Sequence, residues 1–182
     1  TTISAGTIKV GSATALGTVA AGTSITSGAT LDLNGQTISN EEALTINGVG
    51  VSSNGAVVNS STDAASYAGL ITLGSAGSIV GGTGTIVLTN IGTISGSYNL
   101  TLGGAQGGSI SSIIGTSAGT VTKADTGTWS LSGSNTYSGA TTISAGSLII
   151  SNNAPTTSSS SFGGTGTLRI EPVATNFTST FS

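Results

Sequence analysis

The chain of 182 residues carries only 5% charged residues, a formal net charge of −3, 36% hydrophobic residues, and neither cysteine nor histidine. That balance excludes intrinsic disorder, which goes with high charge and low hydrophobicity, and it excludes disulfide staples, thiol nucleophiles and the common zinc ligands. Thirty glycines against two prolines, with no glycine at every third position, point to many tight turns and exclude a collagen helix.

Taken in order, the chain is a succession of short strands. Residues 1–6 read TTISAG and run into TIKV at 7–10, and residues 11–20 form a connecting stretch of small residues. Pairs of apolar residues then recur: Leu31 and Leu33, Leu44 and Ile46, Val57 and Val58, Ile71 and Leu73, Ile86 and Leu88, Leu100 and Leu102. Their first members lie 13 to 15 positions apart, and Ile38, Ile79, Ile94 and Ile110 mark further short strands between them. Apolar residues alternate with Ser and Thr in each, so one face can be buried while the other meets water. Asn34-Gly35, Asn47-Gly48 and Asn54-Gly55 supply turns that need positive φ. No window has helical spacing with caps, and no apolar run suits a transmembrane helix.

The pattern is densest over 122–150, TKADTGTWSLSGSNTYSGATTISAGSLII. Strand-like runs at 128–131, 140–144 and 147–150 are punctuated by Gly127, Gly133, Gly139 and Gly146. The hexapeptide TTISAG returns at 141–146, 140 positions after its first occurrence, and a strand follows it again. Residues 163–170, GGTGTLRI, repeat the theme. The first residue therefore falls inside a repeat unit, and the chain reads as a segment of something longer.

If strands of three to five residues joined by glycine bends coil into rungs of roughly 20 to 30 residues, each strand stacks on its counterpart in the next rung. The expected fold is an all-β parallel β-solenoid, a right-handed β-helix. At about 4.8 Å per rung, the chain makes about 6 to 9 rungs and a rod about 30 to 45 Å long. The alternative is an antiparallel β-sandwich in which the Asn-Gly pairs close two-residue hairpins. One solenoid segment is expected over 1–182, with 122–150 as its best-formed repeat and 151–182 as a looser tail. Within that tail, 154–161 (APTTSSSS) reads as a loop, and Phe177 and Phe181 as a cover for the core.

The run TGTWSLSGSNTYSGATTISAGSLII resembles the autotransporter-associated β-strand repeat, in which an Asn-Thr-Tyr triplet sits between spaced glycines and apolar positions. The matching residues are Gly127, Trp129, Leu131, Gly133, Asn135, Thr136, Tyr137, Gly139, Thr141, Ile143, Gly146 and Leu148. The ALG of 15–17 and GATLDLNGQTIS of 28–39 resemble segments that follow this repeat in such proteins. The resemblance covers part of the chain, and the rest agrees in composition. It implies a passenger-type solenoid of bacterial autotransporter or adhesin proteins, on the cell surface or secreted. Its role would be structural or adhesive: a rigid rod or fibre that associates head to tail or continues in its parent chain, facing a surface glycan or a host-cell ligand. A polysaccharide-binding module on the same scaffold is the alternative. An ice-binding face would call for a recurrent Thr-x-Thr array, and the order of the threonines predicts none.

Candidates for catalysis are few. The carboxylates are Asp32, Glu41, Glu42, Asp63, Asp125 and Glu171, and the bases are Lys9, Lys123 and Arg169. A glycosidase needs two carboxylates facing each other at about 5 to 10 Å, whereas the adjacent Glu41 and Glu42 read as a solvated turn between strands. Lys123 and Asp125 read as a surface pair of little worth. Trp129 and Tyr137 would stack on sugars if both pointed outward, but their positions predict core and turn packing. The doublets Gly81-Gly82, Gly103-Gly104 and Gly107-Gly108 lack the Gly-Lys-Ser/Thr and the helix of a phosphate site. Three basic residues speak against nucleic acid. Asn59-Ser60-Ser61, Asn99-Leu100-Thr101 and Asn176-Phe177-Thr178 match glycosylation acceptors, as chance produces in a Ser/Thr-rich chain. The expectation is a segment that is not an enzyme, needs no cofactor or metal, and does not insert into a membrane.

Overall fold

The computed structural model describes residues 1–151, 160–161 and 166–170. The cover expected from Phe177 and Phe181, the Asn176 acceptor, Glu171 and residues 154–159 of the expected loop lie outside the described residues. Ser160 and Ser161, at the end of that loop, form a strand instead.

Alternation of apolar and hydroxyl residues yields strands of two to five residues, with one long exception. The first turn holds β1 (Thr2–Ile3) and β2 (Gly6–Lys9). The second holds β3 (Thr23–Ile25), β4 (Ala29–Asp32) and β5 (Thr37–Ile38), and the third β6 (Leu44–Gly48), β7 (Val57–Val58) and β8 (Ala65–Tyr67). Then come β9 (Ile71–Val80) and β10 (Ile86–Leu88), followed by β11 (Thr93–Ile94), β12 (Leu100–Gly103) and β13 (Gly107–Ile110). The sixth turn holds β14 (Ile113–Ile114), β15 (Val121–Lys123) and β16 (Thr128–Leu131). Last are β17 (Thr141–Ile143) and β18 (Ser147–Ile150), then β19 (Ser160–Ser161) and β20 (Thr167–Ile170).

Each strand stacks on the strand one turn below it, and the turns have three faces. The first face is β1, β3, β6 and the start of β9, continued by Ser95 on Thr72 and by β14 on β11. The second is β2, β4, β7, the end of β9, β12, β15, β17 and β19. The third is β5, β8, β10, β13, β16, β18 and β20. All these pairings are parallel, which excludes the antiparallel sandwich. The chain is a parallel β-solenoid of about seven turns. The ten-residue β9 passes from the first face to the second and fuses them into one eleven-stranded sheet beside the seven-stranded third face. One turn takes from 19 residues (Thr141 to Ser160) to 29 (Thr37 to Ser66). Eight stacked strands run from β1 to β19, so at about 4.8 Å per step the stack is about 34 Å long.

Inward residues form ladders. Ile3, Ile25, Ile46 and Leu73 stack on the first face. Ile38, Tyr67, Leu88, Ile110, Leu131 and Ile150 stack on the third. All are buried, and each contributes about 1.5 to 3 kcal/mol by leaving water. Because the core is one side chain wide, every rung depends on the two beside it.

The two copies of TTISAG do not occupy equivalent places. Residues 1–6 bend from the first face to the second, whereas 141–146 bend from the second to the third. Their glycines nonetheless turn alike, with φ of 68° at Gly6 and 67° at Gly146. The hexapeptide encodes a strand, a bend and a strand, a unit used here at two of the three corners of the solenoid.

The first face carries no recurrent Thr-x-Thr array, since its aligned pairs read Thr2-x-Ser4, Ser24-x-Thr26, Thr45-x-Asn47 and Thr72-x-Gly74, yet stacking does align hydroxyls. Thr2, Ser24, Thr45 and Thr72 align one above another on the first face, with Ser4, Thr26 and Asn47 two residues further along their turns. Hydroxyl groups more than 20 residues apart in sequence become neighbours on successive rungs.

Candidate functional site

The residues singled out in the repeat turn out to build its corners and core. Trp129 in β16 is fully buried between Gly108 on one turn and Leu148 on the next. A side chain at Gly108 would collide with the Ile86 carbonyl and crowd the indole, so glycine leaves the space that tryptophan fills. The indole N–H donates to the Gly103 carbonyl at 2.9 Å, which satisfies the polar end of an otherwise apolar group. Leu131, Ile143 and Leu148 are buried in the ladders.

Asn135, Thr136 and Tyr137 form the first-face course of their turn without a regular strand. The Asn135 Oδ1 accepts from the Ile114 N–H at 2.9 Å, and the Thr136 N–H donates to the Ile114 carbonyl at 3.0 Å. An amide side chain thus replaces a ladder hydrogen bond. Tyr137 is buried, and its hydroxyl lies 2.8 Å from the hydroxyl of Thr141. Burial raises the Tyr137 phenol pKa, and the Thr141 hydrogen bond opposes that rise. Gly127, Gly133, Gly139 and Gly146 share one role: a Cβ at any of them would overlap a carbonyl of the turn below.

Two expectations about charged residues are overturned. Glu41 is exposed, but Glu42 is buried rather than solvated. Its Oε1 accepts from the Thr23 hydroxyl at 2.5 Å, its Oε2 has no hydrogen-bond partner within the chain, and its main-chain carbonyl accepts from the Tyr67 hydroxyl at 2.6 Å. The bend before β6 turns this side chain inward because Leu44, two residues on, faces the core. Lys123 is fully buried too, instead of forming a surface pair with Asp125. It stands in the second-face ladder of Ile8, Leu31, Val57, Ile79, Leu102 and Ile143. Its ammonium donates to the carbonyls of Ala124, Asp125 and Ala145, the last two at 2.8 and 3.1 Å. Asp125 instead accepts from the Gly104 N–H at 2.7 Å. Alternation held the signal for Lys123: it lies two residues after the buried Val121, in phase with it.

Asp32 and Asn59 are engaged structurally. Asp32 accepts from the N–H groups of Asn34 and Ser60 and from the Ser60 hydroxyl. Asn59 is fully buried, donating to the carbonyls of Asp63 and Thr85 and accepting from the N–H groups of Gly35 and Ser61. That burial removes it as a glycan acceptor. Among the described residues no cluster of three acidic side chains could hold a metal ion, and no helix is long and apolar enough to cross a membrane.

Short parallel strands, bends packed on the bends below, and buried corner groups define a β-solenoid built from a repeating structural unit. Residues 121–150 match the family described as the passenger-associated transport repeat, and the chain carries one such repeat as its sixth-to-seventh turn. No curated protein and no solved structure matches the chain.

Proposed function

We propose that this chain is a rigid structural segment of a bacterial autotransporter-like passenger, secreted or held at the cell surface, and that its turns serve as a rod or fibre. The observation that carries this reading is the register of the 121–150 repeat: it continues the same three faces as the turns before it. Successive turns add to a template already formed, which suits a chain that emerges from one end. Parallel edges at either end of such a stack support head-to-tail association with a second copy or continuity with neighbouring segments of a parent chain. The reading assigns no catalytic role and no cofactor. Asp32, Glu42 and Lys123 each serve the packing of the solenoid itself, which supports that assignment.

Electron microscopy of the purified chain at low and high concentration, with sedimentation on the same samples, tests the proposal. Rods that lengthen with concentration support end-to-end assembly, and short rods at every concentration support a spacer within a larger protein. Amorphous aggregates at every concentration, with neither discrete short particles nor end-to-end growth, would overturn both. Hydrolysis of any polysaccharide in a broad activity panel would overturn the non-enzymatic assignment.

A second reading has one observation in its favour. The stacked hydroxyls of Thr2, Ser24, Thr45 and Thr72 form an uncharged stripe along the first face, which suits a neutral polysaccharide or a host-cell glycan. Retention of the chain on an immobilised glycan, lost when Thr45 and Thr72 are both changed to Val, is the expected outcome. Absence of retention across a wide panel removes this reading.

A further inference from the structure

The second-face ladder is aliphatic at every described turn except one. Ile8, Leu31, Val57, Ile79, Leu102 and Ile143 flank a single lysine, Lys123. An ammonium inside such a ladder loses its hydration, a cost of several kcal/mol that only well-placed acceptors offset. The acceptors here come from two places. Ala124 and Asp125 belong to the bend that follows Lys123, whereas Ala145 belongs to the bend one turn later. Remove the later turn and β15 becomes an open strand edge with a charge pointing into its core face. Inward-pointing charges on edge strands are a known means of preventing pairing with foreign chains.

We propose that Lys123 is a selectivity residue for stacking: it blunts the β15 edge against foreign strands and admits the turn at 141–146, which lays Ile143 over it and brings the Ala145 carbonyl to its ammonium. A foreign strand that pairs with β15 buries the ammonium without that third acceptor and leaves a charge unsatisfied. The inference rests on the parallel stack alone and stands whether or not the segment is adhesive.

The test compares Lys123→Met and Lys9→Met with the parent chain, each full length. Lys9 is exposed, so its replacement makes the same change in net charge without touching the ladder. Each protein is refolded from urea over a range of concentrations, and the recovered monomer is measured by sedimentation. Lys123→Met is expected to match or exceed the parent in native stability, because apolar replacement of a buried charge is often neutral or stabilising. It is expected to recover less monomer, with a loss that grows with protein concentration, while Lys9→Met behaves like the parent. Equal recovery by Lys123→Met and the parent overturns the proposal. So does an equal loss in both variants, which marks a general effect of charge, and so does a Lys123→Met chain that is unstable or fails to fold. On the parent chain, pulsed acylation of amines during refolding gives a second readout. Lys123 is expected to become protected together with the amides of 141–150, and protection before those amides form also overturns it.

Discussion

At the residue scale, polar side chains that look solvated in sequence do interior work, and burial sets their chemistry. Tyr67 has its phenol pKa raised by burial first and by the Glu42 charge second, and Tyr137 has its own raised by burial. A raised pKa means that the folded chain keeps the proton longer, so this stability is present below the ordinary value of 10.0 and is lost as pH climbs through the folded values. Lys123 has the opposite sign: burial lowers its pKa below 10.5, against the pull of Asp125, so its contribution grows as pH rises towards 10.5. The expected net result above pH 10 is a fall in the urea midpoint driven by two tyrosines, and Tyr67→Phe is expected to flatten that fall. Trp129→Ala removes the largest buried side chain and leaves the Gly103 carbonyl without its donor. A loss of about 3 to 5 kcal/mol in urea unfolding is expected.

Elements differ in how much their bends tolerate. Gly6 and Gly146 carry the same positive φ, yet a Cβ at Gly6 meets nothing, whereas one at Gly146 would overlap the Gly127 carbonyl. Gly6→Ala is therefore expected to cost about 1 to 2 kcal/mol from backbone conformation alone. Gly146→Ala is expected to cost clearly more, and the difference between the two urea midpoints measures the close approach of the turns. The strand-bend grammar at both places was legible as TTISAG. Which glycine sits against a neighbouring turn was not, because the overlapping carbonyl belongs to a residue 19 positions earlier.

For the whole molecule, a one-dimensional stack predicts graded stability. The first turn has β2 exposed along its length, with Ile8 38% exposed, whereas β12 and β13 have paired turns on both sides. Hydrogen exchange is expected to be fastest in β1 and β2 and slowest from β9 to β16. Uniform protection from end to end would show a single cooperative unit instead. Small-angle scattering of dilute monomer is expected to report a cross-section that stays constant along an axis of about 34 Å for the stacked turns.

Alternation, β-branched residues and glycine or Asn-Gly bends by themselves determined that this protein is all-β, that its strands are short, and that its turns take about 20 to 30 residues. These are local properties, written within a few residues of chain. The tertiary structure alone decided which face each strand joins and what each buried polar group touches. TTISAG serves two different corners, Lys123 meets Ala145 across 22 positions, and Trp129 meets Gly103 across 26. A solenoid brings such distant residues together one turn apart, and the varying length of its turns hides that neighbourhood from any fixed spacing in the sequence.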